Sequence, residues 1–230
     1  MNEVYDPATN TWETKASMPT ARYGMTISVV DDKFYLIGGT KEGSNTRLAI
    51  DVNEVYDPVT DSWTTKADIP NEISGYRVTS AVADSKIYCI KSNSWIVNPK
   101  RINVYDPVND DWSVKTNSPL NQSCPTAVAT VGDSAVRIYV FDGSVNQIYD
   151  PKVDIWTIGT TMITPRDYVS VAVIDDIFYV VGGVIGLPSD LFTSAYLYPS
   201  AANEQYFPAS YPKDEPTSSP TSEPLILEPF

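Results

Sequence analysis

The hexapeptide Asn-Glu-Val-Tyr-Asp-Pro stands at residues 2–7 and again at 53–58. It is the conspicuous part of a longer periodicity, and a fixed period limits the possible folds more sharply than composition does. Tyr5, Tyr56, Tyr105 and Tyr149 each open a Tyr-Asp-Pro, and seven residues after each comes a tryptophan: Trp12, Trp63, Trp112 and Trp156. Seven residues after the first three tryptophans come Pro19, Pro70 and Pro119; a two-residue insertion delays the fourth proline to Pro165. Residues 203–208, Asn-Glu-Gln-Tyr-Phe-Pro, are a decayed fifth copy, with Phe207 in place of Asp and Lys213 where Trp falls.

A second landmark precedes all these anchors except the first. It reads KFYLIGG at 33–39, KIYCIKS at 86–92, RIYVFDG at 137–143 and IFYVVGG at 177–183. An apolar stretch lies before each, separated from it by a short polar break that reads as a hairpin turn. Each unit is therefore predicted to be four short antiparallel strands. Gly38-Gly39 and Gly182-Gly183 end the second strand, where glycine permits positive φ and close backbone approach. In the Tyr-Asp-Pro turn, proline presets φ, and the Asp before it and the Asn or Asp after it bond the turn backbone. Tyr and Trp present their rings to the neighbouring sheet. Such a sheet cannot cover both its faces alone, so units must stack, and radial stacking of four-stranded sheets is a β-propeller.

Gly-Gly, Tyr-Asp and Trp at this spacing resemble the kelch repeat, and the resemblance covers residues 2–208. It implies an all-β, kelch-type β-propeller, partial or small, of about four blades. A half blade spans 2–20, and blades span 21–72, 75–119, 123–163 and 166–208. Lys91-Ser92 and Asp142-Gly143 depart from the double glycine, so looser corners are expected there. Two arrangements fit the count. In one, the Trp12 strand closes the last blade of a four-bladed ring. In the other, further blades and an export signal belong to a longer chain. The second leaves a role for the Tyr5 strand and is the expectation.

Composition then restricts function. The net charge of −13 argues against nucleic acid, whose phosphates require Lys and Arg. With no histidine, the commonest catalytic base and metal ligand is missing. No metal-ligand spacing involves Cys89 and Cys124; they are either two buried small apolar residues or one disulfide of an exported chain. Residues 1–20 are polar and strand-like rather than a leader, and no apolar run is long enough to span a bilayer. Residues 209–230 are rich in Pro, Ser and Thr and are expected to form a disordered tail or extended stalk, approaching a membrane anchor. Asn121-Gln-Ser is a lone glycosylation sequon. The layout of propeller then stalk is similar to microbial, including archaeal, surface kelch proteins.

Three arginines stand at or just before the first strand, each near a tyrosine: Arg22 with Tyr23, Arg77 with Tyr76, and Arg166 with Tyr168. By the resemblance they either bond backbone carbonyls of the adjacent blade or bind an acidic peptide or a sugar at the propeller entrance. No catalytic residue, metal or cofactor is assigned. The acidic turns Asp31-Asp32 and Asp175-Asp176 read as solvated. The functional expectation is a non-catalytic binding or adhesion module, extracellular or at the cell surface, that recognises a protein or glycan ligand. The alternatives are a carbohydrate-active enzyme of the sialate-epimerase kind, using those arginines, and an intracellular interaction scaffold.

Overall fold

The computed structural model describes residues 1–42, 47–70, 78–91, 102–119, 126–131, 136–143, 145–175, 177–185 and 198–207. Tyr76, Arg77, the sequon at Asn121, Cys124 and the 209–230 segment lie outside them. The described residues form strands, turns and connectors, with no helix among them.

A hairpin of β1 (Asn2–Asp6) and β2 (Thr11–Lys15) comes first. Blade I starts with β3 (Thr26–Val30) and β4 (Lys33–Ile37), carries a small hairpin of β5 (Thr40–Glu42) and β6 (Arg47–Ala49), and ends with β7 (Asn53–Asp57) and β8 (Ser62–Lys66). Blade II is β9 (Val78–Ala83), β10 (Lys86–Lys91), β11 (Ile102–Asp106) and β12 (Asp111–Val114). Blade III is β13 (Thr126–Val131), β14 (Val136–Asp142), β15 (Val145–Asp150) and β16 (Ile155–Ile158). Blade IV has β17 (Ser170–Ile174) and β18 (Ile177–Val181), then a hairpin of β19 (Val184–Ile185) and β20 (Tyr198–Pro199), then β21 (Asn203–Tyr206). Each sheet is antiparallel in simple meander order.

The turns follow from their residues. Asp31 and Asp32 both take positive φ, as do Asp84 and Ser85. Two successive left-handed residues make the mirror-image turn whose twist matches a hairpin. In the turn between third and fourth strands, Asp57 Oδ1 accepts the Val59 N–H at 2.9 Å and Asp61 takes φ 47°. Asn10, Asp110 and Asp154 repeat that left-handed position, one that Asn and Asp tolerate better than most side chains.

The first strands are innermost and meet in sequence: β3 against β9, β9 against β13, β13 against β17. Between β3 and β9, the Ser28 and Ser80 hydroxyls bond at 2.8 Å. The core lies in the seams between blades, not inside any one sheet. Tyr35, Ile37 and Val55 of blade I pack with Ile87, Cys89 and Tyr105 of blade II, and the same arrangement recurs between blades II and III. This is the stacking that the repeat demands. Cys89 is a free thiol inside the first seam, and burial pushes its pKa up to about 12, which makes it an inert apolar group. Closure of blade IV by the Trp12 strand is not formed. Strand β2 pairs with β1, and among the described residues β21 has no fourth strand beside it.

Candidate binding face

One end of the blades carries the tight turns. The other carries the connectors between blades and the two added hairpins. In blades I and IV the connector is fastened to the hairpin beside it. Tyr23 bridges to Thr40, with N–H···O distances of 3.1 and 2.8 Å, and Asp167 bridges to Val184 at 3.0 and 2.8 Å. The second glycine of each pair lets the strands approach. A Cβ on Gly39 would lie 2.9 Å from the Tyr23 carbonyl oxygen, and one on Gly183 would lie 2.6 Å from that of Asp167. Gly182, also at positive φ, faces open space. Gly182→Ala is therefore expected to cost about 1 kcal/mol for backbone strain alone, and Gly183→Ala about 2 kcal/mol or more. Urea titration of both variants measures the difference, and equal midpoints would refute the close-approach role.

Beneath each fastened connector lies a buried arginine. Arg22 Nη2 donates to the Leu36 carbonyl at 2.8 Å, and its Nη1 donates to the Thr20 carbonyl at 3.2 Å and to Glu54. Thr20 Oγ1 also donates to Glu54, at 2.7 Å. Arg166 donates to the carbonyls of Val180, Gly182 and Ala202 at 2.8, 3.0 and 2.6 Å, with Glu204 at 3.6 Å. Both guanidinium side chains are 0% exposed. The expectation that these arginines meet a ligand at the entrance is thus corrected, because every contact they make is internal. They do bond backbone carbonyls, but of their own blade and not the adjacent one. Arg77 is also not their counterpart. Counting back from Lys33, Lys86 and Ile177, the first residues of β4, β10 and β18, Arg22 and Arg166 share one position. Arg77 sits two residues nearer its strand, at the position of Gly24 and Tyr168.

Sequence reasoning missed the carboxylates, although a signal was present. The residue before the Val-Tyr, Ile-Tyr or Gln-Tyr of the third strand is Glu54 and Glu204 in the two units with a matched arginine. In the other two it is Asn103 and Gln147.

The tyrosines do reach the surface. Tyr23 and Tyr168 are both about half exposed on this rim. Tyr168 adopts φ 56°, where the equivalent Gly24 of blade I has φ 68°. Holding a bulky side chain in that conformation costs of order 1–2 kcal/mol.

A different arrangement joins the outer strands, and it repeats at the first three seams. Trp63 Nε1 donates to the Ala16 carbonyl at 2.7 Å, Trp112 Nε1 to that of Ala67 at 2.9 Å, and Trp156 Nε1 to that of Thr116 at 3.0 Å. In return the N–H of Ala16, Ala67 and Thr116 donates to Asp61, Asp110 and Asp154 at 2.7–2.9 Å. Each Asp also accepts the hydroxyl of its own Tyr56, Tyr105 or Tyr149 at 2.6–2.8 Å. This clasp holds Asp61 and Asp110 below the usual carboxylate range, through the Ala16 N–H for the first and the Tyr105 hydroxyl for the second. Beyond the last clasp, a groove of about 340 Å³ runs between blades III and IV, lined by Phe141, Thr160, Met162, Val180 and Tyr206 among others.

A family model described as the Kelch motif matches residues 21–70, which is blade I with its connectors. Beta-scruin of Limulus polyphemus is 24% identical over 221 residues, covering 81% of this chain and 22% of its own. Kelch-like protein 36 of Mus musculus is 25% identical over 210 residues, covering 86% and 33%. Residues 21–70 thus carry the Kelch motif, and most of the chain is similar to kelch-repeat proteins. The chain also resembles the solved structure of YjhT, with a TM-score of 0.62 at 16% identity, over 76% of this chain and 63% of that one. It spans about a fifth to a third of the length of these curated relatives. Kelch repeats generally mediate protein interactions.

Proposed function

We propose that this propeller is a non-catalytic binding module that takes a protein ligand on the rim formed by its connectors and added hairpins. The observation that carries this reading is Tyr168. A half-exposed aromatic side chain is held in a backbone conformation that glycine occupies at the equivalent place, and observed strain of this kind clusters at functional sites. Tyr23 stands on the same type of rim above a connector pinned by Arg22. A tyrosine on a rigid backbone is a good anchor for a partner, since little conformational entropy is lost on binding. Glycan ligands fit the same chemistry, because a tyrosine ring can stack on a sugar. The sialate-epimerase reading is weakened, because two of its three arginines are committed to internal carbonyls and carboxylates.

The experiment is a screen of the purified chain on peptide and glycan arrays, followed by the variants Tyr23→Ala and Tyr168→Gly. Tyr168→Gly is expected to raise stability by about 1 kcal/mol by relieving strain, while weakening the selected ligand at least about tenfold. A ligand bound equally well by both variants would overturn the proposed face. Turnover of N-acetylneuraminate anomers would overturn the non-catalytic reading. We further propose a surface or secreted setting, on the strength of the Pro/Ser/Thr-rich 209–230 segment and the acidic charge. Cell fractionation tests it, and a protein found only in the cytosol would favour the scaffold reading.

A further inference from the structure

At the tight-turn end of the blades, a groove of about 430 Å³ runs along the seam between blades I and II. That volume falls among the roughly 300–1,000 Å³ of small-molecule sites. Ser62 and Thr64 line it from one face of β8, because side chains two residues apart in a strand point the same way. Thr60 joins them from the turn before that strand. On the blade II side the lining is Pro107 and Val108, and Val108 is 83% exposed.

One buried group in this lining is left over. Tyr35 is 5% exposed, and its ring packs on that of Tyr105 with 5.9 Å between centroids, which holds the hydroxyl in place. The hydroxyls of Tyr56, Tyr105 and Tyr149 each donate to an Asp. That of Tyr35 has no hydrogen-bond partner among the described residues. The Thr64 hydroxyl has none there either, and those of Thr60 and Ser62 bond each other at 2.7 Å. The charged lining residues are two of each sign, Asp31 and Asp57 against Lys33 and Lys66. Lys33 is paired with Asp57 at 3.0 Å, and Lys66 lies 3.9 Å from Asp110. No net charge is left to draw an ion. The spare hydrogen-bonding capacity sits in neutral hydroxyls, each both donor and acceptor. The next seam differs: counting from Tyr56, Tyr105 and Tyr149, the places of Ser62 and Val108 are taken by Asp111 and Lys152.

We propose that the groove between blades I and II binds a short neutral saccharide, with the Tyr35 and Thr64 hydroxyls bonding its ring hydroxyls. A sugar hydroxyl both donates and accepts, as these groups do. The Lys33–Asp57 pair adds one charged donor and one charged acceptor, and a bond from either to a neutral hydroxyl is strengthened by the charge. The C–H face of the sugar lies against Pro107 and Val108. A site built to bond a hydroxyl strongly rejects an analogue that lacks it, because its own buried polar group is then left unpaired. This site is at the opposite end of the blades from the rim of Tyr23 and Tyr168 and does not depend on the reading given to that rim.

Saturation-transfer NMR of the full chain with lactose, cellobiose, maltose and mannobiose tests this, followed by titration of the tightest-binding sugar. At least one of the four is expected to bind, with an affinity unchanged by added salt, because no ion pair forms with a neutral ligand. Tyr35→Phe keeps the packed ring and removes only the hydroxyl; it is expected to weaken binding at least about fivefold, as is Thr64→Val. Ser62→Asp with Val108→Lys, which gives this groove the charges of the next seam, is expected to weaken it further. Tyr88→Phe, the equivalent change at that seam, and Tyr23→Ala at the rim are expected to leave it unchanged. A glycopeptide bearing the same sugar is expected to compete, and the bare peptide is not. Failure of all four sugars to bind overturns the proposal. So does a sugar held equally well by the Tyr35→Phe and Thr64→Val variants, one lost in Tyr23→Ala, an affinity that falls with salt, or competition by the bare peptide.

Discussion

Replacing Arg22 by alanine is expected to destabilise the chain by about 3–5 kcal/mol, the usual consequence of removing one partner from a buried ion pair. The loss has two sources. Glu54 is left buried with only the Thr20 hydroxyl as its partner, and the Leu36 and Thr20 carbonyls lose their donor. For a chain of this length that corresponds to a fall in Tm of roughly 6–20 °C. The double variant Arg22→Met with Glu54→Leu is expected to recover part of the loss, because it removes the stranded charge but still leaves the carbonyls unpaired. Arg22→Lys is expected to fall between, since a single ammonium cannot reproduce the planar fork. Denaturant titrations of the three variants provide the measurement. An alanine variant within 1 kcal/mol of wild type would show that the pair contributes little to folding.

The second large effect is expected at the clasp. Asp110→Ala leaves the Tyr105 hydroxyl and the Ala67 N–H without an acceptor, and puts alanine at φ 52°. Unsatisfied groups cost about 1–3 kcal/mol each and the left-handed alanine about 1 more, so a loss of about 2–4 kcal/mol is expected after allowance for partial exposure. Asp110→Asn is expected to stay within about 1 kcal/mol, because an amide oxygen accepts the same bonds and tolerates the same φ; Asn10 already bonds the Tyr5 hydroxyl in this way at 3.0 Å. The carboxylates also predict a pH dependence. Their pKa values are lower folded than unfolded, so their contribution is complete above the unfolded value of about 3.9 and is lost as pH falls through the folded one. Stability should therefore be flat near neutral pH and decline below about pH 4, with a shallower decline in the Asp61→Asn, Asp110→Asn double variant. Equal slopes for wild type and double variant would place the acid sensitivity elsewhere.

Much of the architecture was legible because the repeat fixes local geometry residue by residue. The Tyr-Asp-Pro turn, the paired Tyr and Trp and the strand order are consequences of short-range chemistry. The left-handed glycines follow in the same way from backbone freedom. The roles that join one blade to the next were harder to read. The Asp five residues after Tyr56, Tyr105 and Tyr149 looked like a turn residue and proves also to bind the preceding blade, a contact set by three-dimensional proximity. Arg22 and Arg166 looked like entrance residues because a first strand begins there, and their burial depends on Glu54 and Glu204, more than thirty residues downstream. The added hairpins β5–β6 and β19–β20 have no shared sequence and came from the structure alone. At the candidate site, Tyr23 and Tyr168 lie on the rim as the sequence suggested, while the strain at Tyr168 required the backbone to be seen.

The clasp also bears on how such a chain is lengthened. Each repeat carries both halves of the joint: the Asp and Trp that grip the blade before it, and the backbone position that the blade after it grips. Copying one repeat in a gene therefore copies a complete connector, and the new blade fits its neighbours without any compensating change. A joint made of two dissimilar surfaces on different modules would need both to change together. The period from Tyr5 to Tyr149 is the pattern expected from growth by whole-unit duplication, and the change to Phe207 marks the copy whose sequence has drifted furthest.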